Sequence, residues 1–381
     1  MPASAPAVVW RKSRRVVMAG LHRGSRCAHY TIARGRSLAM STHPPLELSH
    51  TTLSEEDALR FLEGHRIRLG SRTMDPKAQI VGEFVKSIRK PGYFPPLPEL
   101  RQQLRTMVTL MDEPAPALER VEDVRIPAPA GEIPARVYAP RRGSAPLPMV
   151  AYFHGGGWVQ GDLETHHGLC ARLARHAGVL VVAVDYRLAP EHKFPAAVDD
   201  CLAAYRWLRT RGRDLGGDAG RVAVAGDSAG GNLSAVVSQL AAAGGTPVPT
   251  CQALIYPAVD FSFETDSHRE LADGHVIPRD RIVWYAEQYL RDDKDKADLR
   301  ASPLRTPSLA GQPPALIVTA GFDPLRDEGR AYADRLRAAG VDVVYREYPG
   351  QIHAFVSLTK AIPQGMAATL EVAEFLHRWL G

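Results

Sequence analysis

No apolar run in the 381-residue chain approaches the roughly 18 to 20 residues a helix needs to cross a bilayer, so no membrane span is expected. Cysteine is scarce: Cys27, Cys170, Cys201 and Cys251 lie far apart, without a CxxC pair or a Cys/His ligand spacing. That argues against a zinc site or a disulfide framework and favours a reducing, cytoplasmic compartment. Acidic residues are missing from everything before Glu47, where Arg11, Lys12, Arg14, Arg15, Arg23, Arg26, Arg34 and Arg36 stand unopposed. Setting those eight charges aside takes the net charge from +5 to −3. The pI near 9.0 therefore describes a leader and not the body, and nucleic-acid binding is not expected.

Residues 1–45 read as a basic leader, disordered or translated from upstream of a true start at Met40 or Met74. "SRRVVMAGL" has the look of a twin-arginine export signal, but its apolar part is only about six residues long. An arginine-rich, acid-free leader also fits an organelle transit peptide, so export and targeting stay open.

What remains is of ordinary globular composition, 45% hydrophobic and 23% charged, with enough chain for a large core. Three helices are predicted in a cap region over 46–118. They are "SEEDALRFLEGHRIRL" (54–69), opened by a Ser/Glu capping signal, then "DPKAQIVGEFVKSIRK", and "LPELRQQLRTMVTLM". From Val121 the period changes. "VEDVRIPAP" and "EIPARVYAP" alternate as a hairpin, followed by the buried-strand runs "MVAYF", "VLVVAVDY", "RVAVAGD", "ALIYPAV", "PALIVTAG" and "VDVVYREY" with amphipathic helices between most of them. Strand and helix in alternation predict an α/β domain over 119–381, with a mainly parallel sheet, helices on both faces and an antiparallel edge. In such sheets the site lies at the carboxyl ends of the strands.

At those ends sits the chemistry. "GDSAGGN" places Ser228 between Gly226 and Gly230, after a strand and before the helical "NLSAVVSQLAAA". The GxSxG pattern alone is a weak signal, but here it lies on a strand-to-helix turn that exposes the hydroxyl, the nucleophile elbow. The hydroxyl needs a base, and "PGQIHAF" supplies His353 on a loop after the last strand. The imidazole needs an acid. Asp323 in "GFDPLRDEG" lies just past its strand, whereas the alternative, Asp327, falls in the first turn of the next helix, where a carboxylate suits the dipole. The order Ser228, Asp323, His353 is that of α/β-hydrolases.

The glycines of "FHGGGW" follow a strand that gains nothing from them. They suit a loop whose backbone amides point at an oxyanion: Gly156 and Gly157, joined by Ala229 after the nucleophile, with Gly155 forming the bend. His154 is expected to brace this loop, and Asp227 to support it. No metal or organic cofactor is required for such acyl transfer.

On "HGGGW" (154–158), "DYRLAPEHKFPAAVDD" (185–200), "GDSAGG" (226–231), "DPLRDEG" (323–329) and "YPGQIHAF" (348–355), the chain resembles the hormone-sensitive-lipase-like family of α/β-hydrolases, which includes bacterial carboxylesterases and arylacetamide deacetylase. The likeness runs from about Asp75 to the C-terminus. It implies an α/β-hydrolase fold with an eight-stranded sheet and a helical cap, completed by an insertion between strands six and seven over about 261–305. It also implies a serine carboxylesterase acting on small-molecule esters of short to medium acyl chain. An amidase or deacetylase acting on aryl amides or acetylated small molecules would use the same groups. A non-catalytic small-molecule receptor of this fold would lack the histidine that His353 provides. The stretch 185–200 suggests no catalytic role and reads as packing beside the site. The C-terminal helix carries an apolar stripe (Met366, Leu370, Ala373, Leu376, Leu380) expected to pack on the chain's own sheet, with homodimerisation left open.

Overall fold

The structure, a computed structural model, describes residues 46–90, 92–140 and 145–381; the expectations for the leader, including Cys27 and Met40, lie outside the described residues. The first helices are α1 (Glu55–Phe61), α2 (Pro76–Ile88) and α3 (Leu97–Met111). α1 opens at Ser54, whose hydroxyl accepts from Asp57 N at 3.1 Å. It does not run on to Leu69 as its spacing predicts. Gln79 of α2 accepts from Ile67 N at 3.1 Å and donates to His65 O at 2.7 Å. Arg68–Leu69 then pairs with Arg72–Thr73 as a short hairpin. Side-chain bonds from a neighbouring helix have replaced the local i→i−4 ladder.

The sheet comprises β1 (Arg120–Ala128), β2 (Gly131–Ala139), β3 (Leu147–Phe153), β4 (Leu180–Val184), β5 (Gly217–Asp227), β6 (Gln252–Ile255), β7 (Ala315–Phe322) and β8 (Val343–Ile352). Across the sheet the order is β1-β2-β4-β3-β5-β6-β7-β8. β2 runs antiparallel to both its neighbours and every other pairing is parallel. β4, β6 and β7 are buried along their whole length, which is why their sequences are continuous apolar runs. Each fully buried Val or Leu there contributes about 1.5–3 kcal/mol.

On one face of the sheet pack α4 (His167–Ala177) and α10 (Gln364–Leu380), and on the other α5 (Ala196–Arg211), α6 (Ala229–Ala242) and α9 (Arg326–Ala338). Between β6 and β7 the chain makes α7 (Asp266–Glu270) and α8 (Arg279–Tyr289). Of the apolar stripe expected on α10, Ala373, Leu376 and Leu380 are fully buried against the sheet, whereas Leu370 is 41% exposed and Met366 half-buried; Gly365, Ala368, Thr369 and Val372 widen the buried face to one side. Small residues on that face allow a close approach, since a Cβ on Gly365 would meet the Phe355 carbonyl. Thr369 stays satisfied by donating to Gly365 O at 2.8 Å. Among the described residues, no helix is long and apolar enough to cross a membrane.

A buried ion pair ties α3 to this body. Arg172 of α4, 1% exposed, donates to both oxygens of Asp112 at 2.9 and 2.8 Å. The same carboxylate accepts from Thr359 N at 3.1 Å and Thr359 Oγ1 at 2.6 Å, in the segment before α10. Removing one member of such a pair leaves a buried charge unmatched. Arg172→Met should therefore lower unfolding free energy by about 3–5 kcal/mol in urea denaturation, and a loss under about 1 kcal/mol would contradict this reading.

Candidate active site

Ser228 stands between β5 and α6 at φ 56°, ψ −117°. Two glycines make this bend possible. A Cβ on Gly226 would strike the Gly230 backbone, and one on Gly230 would strike the Phe153 carbonyl at the end of β3. Ser228 N donates to Ile255 O at 2.8 Å, hanging the turn on β6, and Asn232 ties it to the insertion through Ala258 O at 2.7 Å and Ala301 O at 2.8 Å. Strain of this kind costs on the order of 1–3 kcal/mol and persists only where surrounding contacts over-determine it.

His353 is the first residue beyond β8, and its Nε2 lies 2.9 Å from Ser228 Oγ. Its Nδ1 lies 2.6 Å from Oδ2 of Asp323, the first residue beyond β7 and fully buried. The other oxygen of Asp323 accepts from Leu325 N at 2.9 Å. Asp327 is elsewhere, in the first turn of α9, where it accepts from Arg326 Nε at 2.7 Å and Ser267 N at 2.8 Å. The two carboxylates that the sequence left in competition are thus separated, one on His353 and one on the insertion. Next to Asp327, Glu328 is buried against His268 of α7 at 2.8 Å, and burial raises its pKa. Neither His268 nor Ser267 carried a sequence signal, yet both hold the insertion to the loop that bears Asp323.

The three glycines after β3 divide their work. Gly155 N donates to Asp227 Oδ1 at 3.0 Å, and the space a Cβ would need is filled by that carboxylate. Gly156 (φ 123°) and Gly157 (φ 62°) adopt backbone angles that favour glycine, and a Cβ on Gly157 would enter the Tyr285 ring. Among the described residues, neither of their amides has a hydrogen-bond acceptor. Ala229 N begins α6, where first-turn amides lack intrahelical acceptors and the dipole favours negative charge. Gly156 and Gly157 line the same cavity as Ser228 and His353, and Ala229 follows Ser228 directly.

His154 braces the loop and is not placed as a base. Its Nδ1 is bonded to Gly155 O at 2.8 Å and its ring stacks on Tyr186 at 4.3 Å. Burial, reinforced by the neighbouring His166, pushes its pKa down to about 4, so the ring is neutral at pH 7. Tyr186 OH donates to His154 O at 2.7 Å, which shows that the stretch 185–200 packs directly beneath the loop. Asp227 also accepts from Tyr152 OH at 2.7 Å and meets His166 Nε2 at 3.1 Å. Burial opposes charge on both His166 and Asp227, but their attraction prevails, so the His166 pKa is raised and that of Asp227 lowered. His166 is the supporting residue that sequence reasoning missed. The only local trace was Asp162 three residues before Thr165, a capping spacing in which Thr165 N donates to Asp162 Oδ1 at 2.8 Å.

Above Ser228 and His353 opens a cavity of about 830 Å³, roofed by α2, α3, Phe261, Phe263 and α8. Its lining is mainly apolar. Among the described residues, no group of three or more His, Cys, Asp or Glu side chains could hold a metal ion. The arrangement can deprotonate a serine hydroxyl and stabilise an anion beside it, in a pocket of the size that takes small organic molecules.

Comparison with known proteins places the chain among ester hydrolases of this fold. A family model described as the alpha/beta hydrolase fold matches residues 150–357. The chain is 43% identical over 325 residues to the carboxylic ester hydrolase LipN of Mycobacterium tuberculosis, covering 83% of this chain and 86% of that protein. It is 38% identical to an ethyl acetate hydrolase of Pseudomonas putida, covering 74% of this chain and 90% of that one. Among solved structures, an ester hydrolase from the metagenome of Lake Arreo, complexed with a bipyridine phosphonate derivative, superposes with a TM-score of 0.76 at 41% identity, covering 80% of this chain and 98% of that one.

The His166–Asp227 pair makes a pH-dependent prediction. Because the folded His166 pKa lies above its ordinary value of 6.5, the stability it contributes is complete below 6.5 and fades as pH rises through the raised folded value. The lowered Asp227 pKa adds stability above the ordinary carboxylate value of 3.8 that is lost as pH falls through the lowered one. His166→Asn should thus cost about 3 kcal/mol at pH 6 in urea denaturation, with a smaller gap from wild type at pH 9. Equal gaps at the two pH values would refute it.

Proposed function

The chain belongs to the hormone-sensitive-lipase-like family of α/β-hydrolases and is a carboxylic ester hydrolase, and from that premise we propose that it cleaves esters of short to medium acyl chain through Ser228, His353 and Asp323. The observation that carries the assignment is the unbroken hydrogen-bonded chain from the buried Asp323 through His353 to Ser228 Oγ, at 2.6 and 2.9 Å. His353 Nε2 takes the hydroxyl proton as Oγ bonds to the ester carbonyl carbon, and the carbonyl electron pair moves to oxygen. The amides of Gly156, Gly157 and Ala229 donate to that oxyanion. As the carbonyl re-forms, the alcohol leaves with the proton from His353 and the acyl group stays on Ser228. Water attacks the acyl-enzyme by the same sequence and releases the acid. Asp323 accepts from Nδ1–H, fixing the tautomer and stabilising the imidazolium formed in both steps.

Two features support the preference for modest acyl chains. Residues of α3 and α8 line the cavity over Ser228, and a relative of which 90% is covered is named for ethyl acetate. Across p-nitrophenyl esters from acetate to palmitate, kcat/KM should peak among the shorter chains and fall steeply by palmitate. Ser228→Ala should reduce turnover by about 10⁴-fold or more, and Asp323→Asn by about 10⁴-fold. A Ser228→Ala enzyme that retains wild-type turnover would overturn the assignment of the nucleophile. A maximum at palmitate would overturn the assignment of chain length.

A further inference from the structure

The helix that roofs the cavity also grips the glycine loop. α3 contributes Leu104, Met107 and Met111 to the cavity lining. Arg101 and Arg105, one turn apart and so on one side of the helix, reach down to the segment that follows the glycines, Arg101 to its backbone and Arg105 to the Asp162 carboxylate. Arg101 Nε donates to Val159 O at 2.9 Å and its Nη2 to Ala189 O at 3.2 Å. The same guanidinium forks onto Glu191, Nη1 to Oε1 and Nη2 to Oε2, both at 2.8 Å. Arg105 Nε donates to Asp162 Oδ2 at 2.5 Å.

These contacts act on the oxyanion loop through one rigid unit. Val159 N and Gln160 N both donate to Gly156 O, at 3.2 and 3.0 Å, and Ala189 N donates to Trp158 O at 2.9 Å. The carbonyl of Gly156 and the amide of Gly157 belong to one planar trans peptide and point in opposite directions. Holding Gly156 O therefore aims Gly157 N–H. Arg101 secures both backbone segments of this arrangement at carbonyls of fully buried residues, Val159 and Ala189. Glu191, with its side chain 48% exposed, serves mainly to orient the guanidinium. A lysine, with a single ammonium, cannot reproduce this fork.

We propose that Arg101 is a positioning residue for the oxyanion donors, which couples the seating of α3 over the substrate cavity to the aim of the Gly157 amide. The inference rests on the assignment of Gly156 and Gly157 as those donors. It predicts a defect confined to the transition state, because the carbonyl oxygen gains its charge only there.

The test uses the full chain with p-nitrophenyl butyrate and a matched alkyl trifluoromethyl ketone. With this inhibitor Ser228 Oγ adds reversibly to the ketone carbon, His353 takes the proton and the oxygen becomes an anion facing the donors. Measured below each variant's melting temperature, Arg101→Ala should lower kcat by about 10- to 100-fold, less than the 10²- to 10³-fold of a deleted donor. KM should stay within about twofold, and the ketone Ki should weaken by the same factor as kcat. Arg101→Lys should fall between the two, and it carries the test if the alanine variant does not fold. Wild-type kcat and Ki in a folded Arg101 variant, or a change confined to KM, would overturn the inference. Gly157→Ala, measured in parallel, separates it from the underlying assignment. An unchanged ketone Ki there overturns the donors and the inference together, whereas a weakened Ki beside an unaffected Arg101→Ala overturns the positioning role alone.

Discussion

The close approach of two backbones, the end of β3 against the first turn of α6, is the constraint on which the rest of this structure depends. The Phe153 carbonyl leaves no room for a Cβ at Gly230, and the Gly230 backbone leaves none at Gly226. That contact brings the loop after β3 against the turn that carries Ser228. The left-handed φ of Ser228 is a consequence, imposed by β5 on one side and α6 on the other. The local strain is small beside the burial energy of the sheet that enforces it.

Around this contact the protein places buried charges at the joints between elements. Asp227 and His166 hold the glycine loop to β5 and α4, Glu328 and His268 hold the insertion to the acid-bearing loop, and Asp112 and Arg172 hold α3 to α4. Each pair is costly to desolvate, so it stabilises little against an apolar replacement, but losing one partner is expensive. The arrangement fixes where peripheral helices sit relative to the strand ends. The cavity is consequently shaped by elements that are also wired to the floor on which the chemistry occurs. Trp158 stacked on Tyr289 at 4.6 Å and Gln160 bonded to Tyr285 OH at 2.7 Å extend the same coupling to α8.

Much of the fold and site was legible because it is encoded locally. Continuous apolar runs marked the buried strands, glycines at fixed offsets marked the elbow and the loop, and a carboxylate and a histidine each directly followed a strand. The preference for Asp323 over Asp327 followed from its place just past a strand, and the structure puts Asp323 against His353 and Asp327 against Arg326 and Ser267. Helix α1 was read too long because the bonds from Gln79 that end the local pattern come from another helix. The stripe on α10 was read correctly at Ala373, Leu376 and Leu380 but not at Leu370, whose place on the buried face is taken by small residues that permit close approach.

The sequence by itself determined the strand and helix alternation, the placing of Ser228, Asp323 and His353 each just past a strand, and the glycines on either side of Ser228 and after β3, because each is marked by residues within a few positions of it. Only the tertiary structure decided that His166 neutralises Asp227 and that Arg101 holds the loop from above. Those contacts join residues 61 and 58 positions apart, through side chains whose local surroundings give no sign of their partners.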